Sequence, residues 1–134
     1  MPASNNETIL LREDKDGICT LTLNRPEKRN AMSTELIAEL QNAFDTIADD
    51  KSVKVIILAG NGPIFSSGHD LREIRGDSSY ETIHALFQQC SNLMISMKKQ
   101  PQPIIARVHG IAMAAGCQLM ASCDLAVAVD TAKF

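Results

Sequence analysis

The apolar positions of this chain follow two rhythms. Ile18-Cys19-Thr20-Leu21-Thr22-Leu23 alternates apolar and polar residues, the period of a strand with one covered face. Thr8 to Arg12 reads as a short strand before it. Asp14-Lys15-Asp16-Gly17 supplies a turn, so the two runs predict a hairpin. Leu36, Ile37, Leu40, Phe44 and Ile47 then recur at helical spacing. Ser33 is a suitable N-cap and Glu35 suits the first turn, which predicts a helix ending near 48–50. Val53 to Ala59 is nearly continuous in apolar residues, as in a strand buried on both faces.

A second long helix carries Ile83, Leu86, Phe87, Cys90, Leu93, Met94 and Met97 on one face. Lys98 and Lys99 suit its C-terminal end, and Pro101-Gln102-Pro103 stops it. Ile104 to Val108 predicts a buried strand, residues 116–122 a short helix, and residues 124–129 another strand. Between these elements lie a charged loop, Asn24 to Met32 with Pro26 at its centre, and a glycine-bearing loop from Gly60 to Leu71. Arg72 to Ser79 reads as polar and mobile. The order strand–strand–helix–strand–helix–strand–helix–strand predicts the α/β class, a mostly parallel sheet with crossover helices. Ligands of such sheets bind at the carboxyl ends of the strands. Two loops leave strands there, 60–71 and 109–116, and side by side they would offer two backbone N–H groups to one ligand atom.

The stretch from Ile104 to Leu119 carries the densest signal. Its apolar run passes through Gly110, several alanines and Gly116 before turning helical. Small side chains admit another molecule to the backbone, and the first N–H groups of a helix lack intrahelical partners. Two readings follow: a site for an acyl oxygen that becomes anionic, or a strand-to-helix junction packed with small residues. Lys28 and Arg29 likewise read either as phosphate ligands or as a solvated loop.

Composition narrows the function classes. Of 134 residues, 45% are apolar and 22% charged, with a formal net charge of −3, so no basic footprint for nucleic acid exists. No apolar run reaches the roughly 18–20 residues of a membrane span. Residues 1–6 are polar and predict a disordered tail without a leader. Cys19, Cys90, Cys117 and Cys123 are widely spaced and read as reduced thiols of a cytoplasmic protein. His69, His84 and His109 do not join them at ligand spacing, so no metal is expected. Gly62 and Gly68 miss the P-loop spacing by one residue, and no lysine follows. No nucleophile elbow is present.

Three segments in this order resemble the enoyl-CoA hydratase/isomerase family, also called the crotonase family. They are Leu23 to Met32, Phe65-Ser66-Ser67-Gly68-His69-Asp70-Leu71, and Gly110 to Leu119 with Ser122-Cys123-Asp124 behind it. The resemblance covers nearly all of residues 8–134. It implies a crotonase-like ββα superhelix, of which 7–134 would be the N-terminal part, and assembly as a homotrimer or hexamer. It implies an acyl-CoA or enoyl-CoA ligand, with coenzyme A entering as part of the substrate and no permanent cofactor. The backbone N–H groups of His69 and Ala115 would form the oxyanion hole. Lys28, Arg29 and Ala31 would meet the CoA nucleotide. Ser67, Gly68, Asp70, Leu71 and Arg72 would border its adenine and pantetheine. Gln118 stands where typical hydratases carry a glutamate, and a neutral amide does not exchange protons at ordinary pH. A second hydratase glutamate would lie beyond Phe134. Two functions are therefore open: an enzyme stabilising a thioester enolate, or a CoA-thioester-binding protein or truncated subunit without chemistry.

Overall fold

Asp16 and Gly17 both adopt left-handed backbone, at φ +53° and +79°. They close a two-residue turn between β1 (Leu10–Lys15) and β2 (Ile18–Leu23). Two consecutive positive φ values give the type I′ turn, whose twist matches a hairpin, and Asp-Gly favours it. The first strand therefore runs to Lys15, past the expected end at Arg12. The structure, a computed structural model, describes residues 8–134. The tail expected at 1–6 lies outside the described residues.

After a single 3₁₀ turn at Pro26–Lys28 the chain forms α1 (Thr34–Ala48), β3 (Val55–Gly60), β4 (Ile64–Ser66), α2 (Leu71–Gly76) and α3 (Tyr80–Lys99). There follow β5 (Ile104–Val108), β6 (Ile111–Ala112), α4 (Ala115–Ala121) and β7 (Leu125–Ala128). Five strands make one sheet in the order β1-β2-β3-β5-β7. Only β1 is antiparallel to its neighbour, and β2, β3, β5 and β7 run parallel. A separate parallel pair joins β4 to β6.

The α1 face expected from sequence is fully buried, with Leu36, Ile37, Leu40, Phe44 and Ile47 inaccessible to solvent. These side chains share one core with Leu21, Leu23, Ile56, Leu58, Ile104 and Ala106 of the sheet and with Leu93 and Met97 of α3. Ser33 starts α1 by accepting a hydrogen bond from the Leu36 N–H at 3.1 Å. Ser33→Ala should lower stability by about 1 kcal/mol, and Ser33→Thr should keep most of it. Urea unfolding of the two variants checks this.

Three further expectations change. Burial along β3 is uneven: Ile56, Leu58 and Ala59 are buried, whereas Val55 and Ile57 are only partly covered. The continuous apolar run did not distinguish the helix-covered face from the other. Phe87, expected on the core face of α3, is half exposed. Arg72 to Ser79, expected to be mobile, begins as α2. That helix rests on its cap and a tether more than on apolar periodicity. Asp70 accepts from the Arg72 N–H at 3.0 Å, and Glu73 accepts from the Thr34 N–H at 3.0 Å, tying α2 to the start of α1.

Cys19, Cys90 and Cys123 are buried and all four cysteines are free. Burial pushes the Cys19 and Cys123 thiols up to about 12, which keeps them protonated and unreactive. No helix among the described residues is long and apolar enough to cross a membrane.

Candidate active site

The two loops expected to face each other do meet. Ile64 pairs with Ile111 and Ser66 with Ala112, and the Met113 N–H donates to the Ser66 carbonyl at 2.9 Å. Gly68 sits at φ +96°. A Cβ there would lie 3.1 Å from the Met113 carbonyl and 3.2 Å from the Ala115 nitrogen. The first loop thus presses its backbone onto the first residue of α4. Gly116 faces Ser66 so closely that a Cβ would overlap the Ser66 carbonyl oxygen and stand 2.7 Å from its Cβ.

Ala114 joins the turn to α4 at φ +48° and ψ −123°, a conformation that suits glycine. The Gly116 N–H closes this turn on the Met113 carbonyl at 2.7 Å. Strain of this kind in a non-glycine residue costs on the order of 1–3 kcal/mol and collects at functional sites. The Ala115 N–H opens α4 and has no intrahelical acceptor. Among the described residues neither the His69 N–H nor the Ala115 N–H donates to a protein acceptor.

A third loop is sewn onto the first. The Ser67 N–H donates to the Arg29 carbonyl at 3.0 Å, Met32 N–H to the Gly68 carbonyl at 2.7 Å, and Asp70 N–H to the Met32 carbonyl at 3.2 Å. Asn30 is fully buried in this seam. Its Oδ1 accepts from the Arg25 N–H at 2.8 Å, and its Nδ2 donates to the Asn61 and Ile64 carbonyls, both at 2.9 Å. Ser66 Oγ returns a bond to the Asn30 carbonyl at 2.9 Å. Arg25 pairs with Asp70 at 3.5 Å and donates to the Ala31 carbonyl at 2.9 Å.

Ala31, Ser67, Gly68, His69, Asp70 and Ala115 therefore lie within one connected set of loops. Lys28 and Arg29 stand exposed at its edge, with Arg29 in left-handed backbone at φ +55°. Leu71 and Arg72 are exposed on the first turn of α2. Gln118 is exposed on α4, and its side chain makes no hydrogen bond among the described residues. Asp70 is engaged by Arg25 and by its helix cap. Asp124 accepts from the Ile104 N–H at 2.8 Å, at the start of β5.

Sequence reasoning missed Asn30, Ser66 and Arg25 as the groups that align the loops. An asparagine between a charged pair and an alanine carries no burial signal of its own. It also missed Phe87, whose ring meets the His69 imidazole edge-on with centroids 5.0 Å apart. Burial holds the His69 ring below its ordinary value of 6.5. The neutral ring is thus favoured in the folded chain. Its contribution to stability is whole above the unfolded value and is lost as pH falls toward the lowered folded value. Urea midpoints should drop between about pH 7.5 and about pH 5.5, and His69→Phe should flatten that drop. An equal drop in the variant would assign it to other groups.

The family model described as enoyl-CoA hydratase/isomerase matches residues 13–134. The chain belongs to the enoyl-CoA hydratase/isomerase family. It is 46% identical to the human protein named enoyl-CoA hydratase domain-containing protein 3, mitochondrial, over 119 residues, 89% of this chain and 39% of that protein. It is 35% identical to the 2,3-dehydroadipyl-CoA hydratase of Escherichia coli over 96% of this chain and 49% of that one. The crystal structure of an enoyl-CoA hydratase of Mycobacterium smegmatis superposes with a TM-score of 0.89 at 51% identity, covering 91% of this chain and 48% of that one. The chain thus spans less than half the length of these relatives. The crotonase fold expected from sequence is the one seen, and the crystal structure of human enoyl Coenzyme A hydratase domain-containing protein 3 superposes with a TM-score of 0.89 at 43% identity, covering 92% of this chain and 49% of that one.

The cytoplasmic placement is corrected by the same comparison. The human, zebrafish and rat relatives are all named mitochondrial. Reduced cysteines signal a reducing environment, and they do not single out one compartment.

Proposed function

We propose that this chain carries the thioester-binding loops of an acyl-CoA-handling protein. The observation behind this reading is the contact of Gly68 with the start of α4, which gathers the unpartnered N–H groups of His69 and Ala115. Two such donors stabilise a thioester oxygen as it gains negative charge, when the carbonyl becomes an enolate. Lys28 and Arg29 sit where a CoA nucleotide would bring phosphates, with Ala31 small beside them. Ser67, Gly68, Asp70, Leu71 and Arg72 border the path of adenine and pantetheine. Coenzyme A enters as part of the substrate. The relatives' names favour mitochondria as the compartment, and assembly into trimers or hexamers belongs to the same reading.

Hydratase or isomerase turnover needs a proton-transfer group. Gln118 is an amide and cannot supply one, and this favours a second reading, thioester binding without turnover. Calorimetric titration with crotonyl-CoA, against free CoA, tests the first step. Crotonyl-CoA binding at least tenfold tighter than CoA is the expected result. Equal binding would remove the oxyanion loops from the reading. Loss of the enoyl absorbance during incubation would decide for turnover, and its persistence for binding alone.

A further inference from the structure

The His69 side chain is held in an unusual way. Its backbone is fixed on both sides, by the Met32 N–H on the Gly68 carbonyl and the Asp70 N–H on the Met32 carbonyl. Its ring makes no hydrogen bond among the described residues and meets the Phe87 ring edge-on. Nδ1 is buried and unpartnered among the described residues, while the residue as a whole is only partly buried, which leaves the Nε2 edge as the side of the ring that faces outward. A buried N–H without an acceptor is costlier than a buried lone pair without a donor. The proton of the neutral ring therefore belongs on Nε2, and the ring offers one N–H donor to the outside.

We propose that His69 is a specificity-determining residue whose Nε2–H selects acyl groups carrying an oxygen on the β-carbon over plain alkyl groups. The proposal rests on the thioester reading above, because it needs the carbonyl oxygen at the His69 backbone N–H. Covalent geometry then does the rest. Nε2 lies five bonds from that nitrogen, within roughly 6 Å. An acyl chain anchored on the N–H brings its β-carbon within reach of the ring of the same residue. A β-hydroxyl accepts from Nε2–H, whereas a methylene strips water from it and returns nothing. Sites built around a donor discriminate against ligands that leave it unpaired. Phe87 contributes by bracing the ring edge-on.

Butyryl-CoA and 3-hydroxybutyryl-CoA differ by one hydroxyl and form the test pair, with free CoA as reference, titrated into the full chain and into His69→Phe. The variant keeps an aromatic ring for the Phe87 contact and removes the donor. We expect the wild-type chain to prefer the hydroxyacyl thioester by about tenfold and the variant to show a ratio near one. Nitrogen-15 spectra of the wild-type imidazoles give a second readout independent of variant folding. The His69 Nε2–H signal should move with 3-hydroxybutyryl-CoA and stay with butyryl-CoA. A wild-type ratio near one, a ratio preserved in the variant, or a proton on Nδ1 overturns the role of His69. If neither thioester binds more tightly than CoA, the acyl site itself fails and this inference falls with it.

Discussion

Gly116→Ala should destabilise the chain by about 3 kcal/mol and separate the two loops of the site. The new methyl would overlap the Ser66 carbonyl oxygen and stand 2.7 Å and 2.8 Å from the Ser66 Cβ and Oγ. None of these atoms can withdraw cheaply. The Ser66 carbonyl accepts from the Met113 N–H, and its hydroxyl donates to the Asn30 carbonyl. Relief therefore requires breaking the β4–β6 contact or displacing α4. Helix propensity alone argues for the opposite sign, since alanine favours a helix interior over glycine by about 1 kcal/mol. Gly76 provides the control, because a Cβ there meets nothing within 4 Å. Gly76→Ala should be neutral or slightly stabilising. Urea denaturation of both variants separates the effects, and an unchanged midpoint for Gly116→Ala would mean that the loops are not pressed together as described.

The second large effect is expected at Asn30, where Asn30→Asp should cost about 4 kcal/mol at neutral pH. Each buried partner left unpaired costs about 1–3 kcal/mol, and the substitution removes the amide donor from both the Asn61 and Ile64 carbonyls. It also turns a carboxylate toward those two carbonyl oxygens. Asn30 sits at φ +50°. Asparagine and aspartate both tolerate that backbone, so the comparison isolates the side chain. The facing carbonyls disfavour the charged form and raise the folded pKa of the new carboxyl. The loss should therefore shrink on acidification, as the protonated acid regains one donor, and grow as pH rises past the ordinary carboxylate range. Denaturation at neutral and mildly acidic pH checks the sign. A loss that does not depend on pH would point to packing in place of hydrogen bonding.

These residues also show how far the site was legible. The loops were visible because Gly68, Gly110 and Gly116 interrupt apolar runs at strand ends, and glycine at such places marks close backbone approach. Their side-by-side placement was expected because both follow strands of a mostly parallel sheet. Asn30 gave no local sign, since its three partners belong to Arg25, Asn61 and Ile64. Their convergence depends on two loops folding over each other. Phe87 misled for a related reason. Its helical spacing matched the core face, yet its ring turns to His69, a partner supplied by another loop.

The sequence by itself determined α1, the face it buries and its Ser33 cap, the hairpin, the mostly parallel character of the sheet and the family. All of these depend on short-range period, turn chemistry or motif spacing, which a linear chain displays directly. Only the tertiary structure decided which positions of β3 are fully covered, that Asp70 and Glu73 would make a helix of a polar stretch, and that Arg25, Asn30 and Ser66 would bind three loops into one unit. Apart from the local Asp70 cap, each of those outcomes rests on a hydrogen bond or contact between residues distant along the chain. Such partners are chosen by packing, after the elements that carry them have formed.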